Sequence, residues 1–498
     1  MSEIRNTRMD GQPNILFITA EQFNADCIGT LGRPQLITPN LDALVRGGVS
    51  FMRSYSVAAS CVPSRISVLT GQYPHTHGVY NRPQTRIPDA CLALPQYLQR
   101  ERGYQTALLG KNHIAQWNPP AYQKMPTEED SKAYRRQLEQ RGVWEAEEAK
   151  KKAHVAEFMS FDSSIPYEDS DPIHLARLAI QTIDDFDSAA PFFLSINYQH
   201  AHNPYRVPVD APIQYDPDRL DLEQVRHHRA EDRRLLRQRP GSTRLGCENI
   251  WNLEAQGEPA FRRALARYYG MVSLVDDSVG RLVAHLDQRK LLANTLIIFT
   301  ADHGDFAGEY GMLGKGAAAG FEAIMRVPLI CYWKGTFGPE RVHSLVENID
   351  LFPTVCDLLG LEVPHTVQGE SFADVLRYSA SGCDPYPRAK ALAFHETLYC
   401  KTVITRDAIL SYGFDGCETG ELFDLRHDPE ASINHFGEPQ YGELERSLMR
   451  ALTQWWIRTD QPLAWGAGLN PRNPELFRYV HCHPELSGKP VPDRVRIN

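Results

Sequence analysis

The residues with the clearest chemical potential in this 498-residue chain lie in the string Cys61-Val62-Pro63-Ser64-Arg65-Ile66-Ser67-Val68-Leu69-Thr70-Gly71. The string reads as a short helix. Pro63 is tolerated in a first turn, where its missing N–H would have had no partner. Ile66, Val68 and Leu69 supply the apolar part and Gly71 is a helix stop. A cysteine at a helix N-terminus beside Arg65 sits in positive potential, which suits a reactive group or a bound anion. Alone, such a cysteine reads equally as a packed core thiol, so the remainder of the chain decides between the two.

Other residues carry complementary chemistry. Glu21-Gln22 and Asp302-His303 are adjacent pairs whose oxygens and imidazole could reach a hard divalent cation from one turn each. Taken singly, each pair would be read as a helix cap or a partner for a nearby base. Lys111, His113 and Lys315 could face an anion, as could His200 or His202. His75 and His77 lie near the Cys61 helix and read as structural. His481-Cys482-His483 has metal-ligand residue types but no partner cluster, and is also read as structural.

These residues need elements to position them. Asn14–Thr19, Gln105–Leu109, Phe192–Asn197, Thr295–Thr300 and Val327–Trp333 are apolar, β-branched runs that predict buried parallel strands. Helical patterns lie between them at Thr38–Gly47, Leu92–Arg102, Ile173–Phe186 and Arg262–Gln288. The alternation predicts an α/β core, a largely parallel sheet with helices on both faces. Four of the strands run into Glu21-Gln22, Lys111 and His113, His200 and His202, and Asp302-His303. In such sheets ligands bind beyond the carboxyl ends of the strands, so these groups should converge at one edge. Thr127–Lys152 mixes both charge signs densely and reads as a solvated helical insertion; Asp216–Arg244 is arginine-rich and reads as a solvated face, with an anion patch or a subunit contact as alternatives. The alternation weakens after Leu376, which predicts an α/β domain over 1–376 and a smaller α+β domain over 377–498 that includes a helix at Leu444–Arg458 and an irregular tail.

Composition sets outer bounds. The chain is 42% hydrophobic and 23% charged, an ordinary globular balance. A net charge of -9 argues against nucleic acid or a membrane surface as partner. No apolar run has signal-peptide or membrane-spanning length, which predicts a cytoplasmic location. The ten cysteines form no C-x-x-C pair, against a zinc cluster, and in a reducing compartment against a disulfide framework.

With these residues in view, CVPSR followed by an apolar turn and Thr70-Gly71 resembles the signature of the type I sulfatases, although Gln72 stands where that family usually has arginine. FTADHGDFAGEYGMLGKG resembles the family's second metal-binding stretch, GKNH its G-K-x-H and HNPY its H-x-P-[FY]. RVPLI, VENIDLFPT and ELFDLRHDPEASIN match further family strings, so the resemblance runs from about Pro13 to Asn434. It implies an alkaline-phosphatase/sulfatase-like αβα sandwich. It also implies that Cys61 is oxidised to formylglycine by a formylglycine-generating enzyme, and that a divalent ion is held by Glu21, Gln22, Asp302, His303 and the oxidised Cys61. Calcium is the family default; the softer imidazole of His303 leaves manganese open. Most members have aspartate at position 21, and glutamine at 22 is known in the phosphonate and choline-sulfate branches.

The resemblance implies a sulfuric ester hydrolase acting on an aryl, alkyl or sugar sulfate. The hydrated aldehyde attacks sulfur, Lys111 and Lys315 stabilise the sulfuryl oxygens, and Arg65 holds the diol. His202 or Lys315 assists the leaving alcohol and His113 takes the proton that releases sulfate. A phosphonate monoester or phosphodiester hydrolase with the same nucleophile is the nearest alternative, on Gln22 and His303; Lys111 and His113 favour the sulfatase. A non-catalytic binding protein on the same scaffold is the second alternative, on Glu21 alone. The last 60 or so residues, which in this family shape the pocket or a homo-oligomer contact, carry no matching string.

Overall fold

A computed structural model describes residues 12–80, 87, 91–114, 117, 120–154, 158–227, 229, 251–315, 320–379, 390–397, 400–414 and 418–460. Strand β1 (Asn14–Ala20) shows how the layers arise, because all seven of its residues are buried. Ile15 and Phe17 enter one core, against the helices Cys61–Thr70, Leu94–Arg102, Leu351–Leu358 and Ala373–Ser379. Leu16, Ile18 and Ala20 enter the other, against the helices Pro39–Gly47, Asp171–Asp185 and Glu258–Gln288. Period-2 side chains on a strand apolar at every position require cover on both faces, and the result is the expected αβα sandwich.

The remaining strands of this sheet are β2 (Val49–Tyr55), β3 (Gln105–Gly110), β4 (Phe192–Tyr198), β5 (Thr295–Ala301), β6 (Leu329–Tyr332) and β7 (Glu340–Glu347), in spatial order β7-β2-β6-β5-β1-β4-β3. β5, β1, β4 and β3 are mutually parallel, with Ala20 opposite both Ala301 and Tyr198, and Gly110 opposite Asn197. Their carboxyl ends therefore share one edge. The run at Val327–Trp333, expected as a parallel strand, is β6 and lies antiparallel to both β5 and β2. Its apolar sequence reports burial, which either direction satisfies.

The second sheet is antiparallel: β8 (Ala393–Glu396), β9 (Cys400–Ile404), β10 (Ala408–Phe414) and β11 (Glu418–Asp424) in sequential order. The helix Gly442–Thr459 covers it with Leu448, Leu452 and Trp455, which pack on Phe394, Val403 and Leu410. The helix Ala373–Ser379 crosses the boundary expected at 376, and its Ala373 and Leu376 belong to the first core. The change of architecture therefore falls between Ser379 and Ala393. The insertion at 127–152 forms two helices, Glu128–Gln140 and Trp144–Ala153, and is not wholly solvated. Glu147 is buried, accepting from Ser163 Oγ and Ser164 N and pairing with Arg206 at 3.0 Å. Within Asp216–Arg244, Arg226 reaches inward to Glu322 at 3.0 Å. The tail and His481-Cys482-His483 lie outside the described residues. Among the described residues no helix is long and apolar enough to cross a membrane.

A half-buried ion network props the loop behind β5. Arg326 pairs with Asp26 at 2.6 Å, and Gly304 N donates to Ile324 O two residues away. Burial alone would raise Asp26 and Glu322, but Arg326 and Arg226 pull both carboxyls down to about 2. A carboxylate depressed in the folded state stabilises the fold above its unfolded pKa of about 4 and loses that contribution as pH falls toward the folded value. Melting temperature followed by circular dichroism should hold from pH 7 to 5 and fall below pH 4. The fall should be shallower for the double variant Asp26→Asn/Glu322→Gln.

Candidate active site

The helix Cys61–Thr70 starts at Ser60 in an extended conformation and ends at Gly71, whose φ of 66° closes the last turn through its N–H on Ser67 O. A Cβ at Gly71 would meet Val367 Cγ1 at 2.7 Å as well as straining that φ. Every helix residue except Cys61 is buried, so its polar side chains all serve local contacts. Ser64 Oγ donates to Asp302 O, and Asn348 Nδ2 donates to Ser64 Oγ at 3.0 Å. Ser67 meets His77 Nε2 at 3.0 Å. Arg65 places Nε at 3.1 Å and Nη2 at 2.9 Å from Asp302 Oδ2, while its buried Nη1 has no acceptor. The nucleophile candidate is thus fixed to the end of β5 by its own helix.

Around Cys61 Sγ stand His113 Nδ1 at 3.6 Å and Lys315 Nζ at 3.8 Å. Burial raises the thiol, but contact with His303 and the Lys315 ammonium outweigh it and bring its pKa below the ordinary thiol value. His113 is lowered to about 4 by burial and then by Lys111, so its ring is neutral and able to accept a proton at neutral pH. Lys111 extends from a turn that only glycine permits: Gly110 has φ 83°, and a Cβ there would lie 2.2 Å from Asn197 O. Its Nζ pairs with the Glu21 carboxylate.

Glu21 is fully buried. Burial and Asp302 raise its pKa, but Lys111, His202 and Arg65 hold it below the ordinary value. Ligand atoms of Glu21, Cys61 and His303 all lie within 4.8 Å of one another. His303 Nδ1 donates to Gly304 O at 2.9 Å, so Nε2 turns its lone pair inward, 3.1 Å from Lys315 Nζ. Gln22 Oε1 is a buried acceptor without a donor, and the buried Glu21 carboxylate beside it is engaged by Lys111 Nζ. An orphaned amide oxygen beside a carboxylate and an inward imidazole nitrogen fits a divalent cation, which would give Gln22 Oε1 its missing partner. Asp302 is more heavily engaged: Oδ1 accepts Gln22 N at 3.0 Å and His303 N at 2.9 Å, and Oδ2 takes Arg65. Burial opposes its ionisation, but His303, Arg65 and Lys315 hold the carboxyl well below the usual range.

The two histidines after β4 diverge. On a strand they would share a side, but Gln199–Asn203 is a turn, with His202 N on Gln199 O. His200 is buried toward Asp171, its Nδ1 3.7 Å from the carboxylate. His202 donates Nδ1–H to Asn203 O at 2.6 Å and points Nε2 to within 3.9 Å of Glu21 Oε1. His75 bridges Glu396 at 3.0 Å and Thr459 Oγ1 at 2.9 Å, and serves as a joint between the two sheets' domains. Gln72 is buried behind the helix, donating to Thr366 O and accepting from Cys91 Sγ, so the departure from the family's arginine does not reach Cys61. Asp305 and Tyr205 were not foreseen: Gln22 Nε2 and Tyr205 OH both donate to Asp305 Oδ2. The signal was a second acid in Asp302-His303-Gly304-Asp305.

The family model described as Sulfatase matches residues 13–361, which hold this whole constellation. The chain belongs to the sulfatase family of sulfuric ester hydrolases. A second model, N-sulphoglucosamine sulphohydrolase, C-terminal, matches residues 308–457. Among similar proteins, an arylsulfatase of Clostridium perfringens is 25% identical over 87% of this chain and 92% of its own length. A multifunctional alkaline phosphatase superfamily protein of Trinickia caryophylli is 27% identical over 89% and 95%. In fold, the sulfatase resembles a phosphonate monoester hydrolase from Silicibacter pomeroyi, with TM-score 0.76, 23% identity and coverage of 90% of this chain and 96% of the other.

Proposed function

We propose that this sulfatase cleaves a sulfate monoester through a formylglycine made from Cys61. The observation that carries the reading is Cys61 at the mouth of a buried helix, touched by His113 and Lys315 and within ligand distance of Glu21 and His303. Sγ marks where the oxygens of the hydrated aldehyde would stand on Cβ. A divalent ion held by Glu21, Gln22, Asp302 and His303 would acidify that diol and neutralise charge on the sulfate; calcium fits the oxygen donors, and manganese fits the imidazole.

One hydroxyl, its proton released to solvent, would attack sulfur in line as the S–O bond to the alcohol breaks, so that the sulfuryl group passes to the enzyme. Lys111 and Lys315 hold the sulfuryl oxygens as charge shifts toward the leaving group. The buried Arg65 Nη1 offers a donor to the diol. His202 has Nδ1–H committed to Asn203 O, and burial keeps its pKa below the ordinary imidazole value, so at rest Nε2 is an acceptor. The Lys315 ammonium is then the readier proton source for the departing alkoxide. Neutral His113 takes the proton of the second hydroxyl, the C–O bond to sulfate breaks, and the aldehyde returns. Water then rehydrates it.

A phosphonate monoester hydrolase is the second reading, favoured by Gln22 and His303 together with the likeness to the Silicibacter pomeroyi enzyme. Initial rates on matched aryl sulfate and aryl phosphonate monoesters separate the two. The sulfate should be the better substrate; a preference for the phosphonate by orders of magnitude overturns the assignment.

A further inference from the structure

Gln22 is pinned at three points before its side chain does anything. Its N–H donates to Asp302 Oδ1 at 3.0 Å, its carbonyl accepts from Tyr268 OH at 3.1 Å, and its φ is 56°. The side-chain amide then has two possible faces, related by a half-turn that exchanges oxygen and nitrogen at almost no steric cost. Only one face helps a cation site: the oxygen ligates, whereas the NH₂ repels a metal and supplies no lone pair.

Asp305 decides between them. Its Oδ1 accepts the backbone N–H groups of Ala307 at 2.6 Å and Gly314 at 3.0 Å, and its Oδ2 accepts Tyr205 OH at 3.0 Å and Gln22 Nε2. A carboxylate so loaded offers acceptors only, so the Gln22 face turned toward it must be NH₂. Oε1 is thereby turned away from Asp305 and left buried without a donor. We infer that Asp305, which is not itself a ligand, is a positioning residue that sets the amide polarity of Gln22 so that oxygen faces the cation. This inference rests on the metal site of the proposed function.

The test is Mn²⁺ binding to the full-length chain, read from the free-ion electron paramagnetic resonance signal and so independent of turnover. In Asp305→Asn, an amide oxygen must face the Ala307 and Gly314 N–H groups, which leaves its NH₂ against Gln22. Gln22 then turns over, and Mn²⁺ affinity should fall about 10–100-fold, the usual cost of losing a ligand's orienting partner. A glutamate at 22 has two equivalent oxygens and no polarity to lose, but beside Asp305 it faces a like charge. In the Gln22→Glu background, Asp305→Asn should therefore raise both Mn²⁺ affinity and melting temperature. The reversal of sign with residue 22 decides the matter even if Asp305→Asn alone is poorly soluble. Asp305→Asn binding Mn²⁺ as wild type does, or lowering affinity in both backgrounds, overturns the inference alone. Failure of the wild-type chain to bind Mn²⁺ overturns it together with the metal site.

Discussion

Changing Cys61 to serine should turn a catalyst into a reagent. Steady-state hydrolysis of an aryl sulfate should fall on the order of 10⁴-fold, as when a nucleophile is removed from an otherwise intact site. A burst of no more than one equivalent of alcohol should precede the loss. The serine hydroxyl would stand where Sγ now contacts His113 and Lys315, so the first attack keeps its surroundings. What it lacks is a second hydroxyl on the same carbon, without which the sulfated enzyme has no low-energy way to expel sulfate. Mass spectrometry of the peptide should show one trapped sulfuryl group. Undiminished turnover by Cys61→Ser, or full activity in wild-type protein whose Cys61 remains a free thiol, would defeat the formylglycine mechanism.

Lys111→Ala should cost on the order of 10²–10³ in kcat, the usual effect of deleting one preorganised donor to a transition-state oxygen. Its Nζ is carried on the Gly110 turn and pairs with Glu21. Lys111→Arg should restore little, because a planar fork does not reproduce a compact ammonium against the buried Glu21 carboxylate. The variant should still unfold cooperatively when loaded with metal, since Arg65 and the cation remain beside Glu21. Near-normal turnover in folded Lys111→Ala would mean that the anion sits elsewhere.

Much of the sheet was legible because its strands are apolar throughout, as NILFITA and TLIIFTA are, and such runs have few other destinations. β2 (VSFMRSY) and β7 (ERVHSLVE) are not legible as strands: both carry charge on incompletely covered positions and look like loop or helix in isolation. The direction of β6 was not legible, because apolarity encodes depth and direction is set by connections. At the site, strand ends pointed to Glu21, Lys111, Asp302 and one of His200 and His202 along a single edge, while the preference for His202 and the role of Cys61 came from the family resemblance. Hydrogen-bond polarity was not legible. That Gln22 turns its nitrogen to Asp305, or that His200 turns to Asp171 while His202 turns to Glu21, depends on partners more than 20 residues away or on a turn that breaks the strand's alternation.

The joint made by His75 has a consequence for when the protein can mature. Thr459, at the end of the last described helix, bonds His75, while its carbonyl takes Thr76 Oγ1 and Gln368 Nε2. Glu396 N meanwhile bonds Val57 O, just ahead of Cys61. The segments on both sides of the cysteine are thus clamped by residues synthesised some 330 to 400 positions later. On the proposed maturation, a modifying enzyme that takes CVPSR as unfolded chain would have its freest access while the ribosome is still making the partner segments. Translation at about 5–20 residues per second leaves an interval of roughly tens of seconds. The fraction of active molecules would then be fixed by a race between oxidation and closure, and slowing elongation downstream of codon 80 should raise it without any change in the protein.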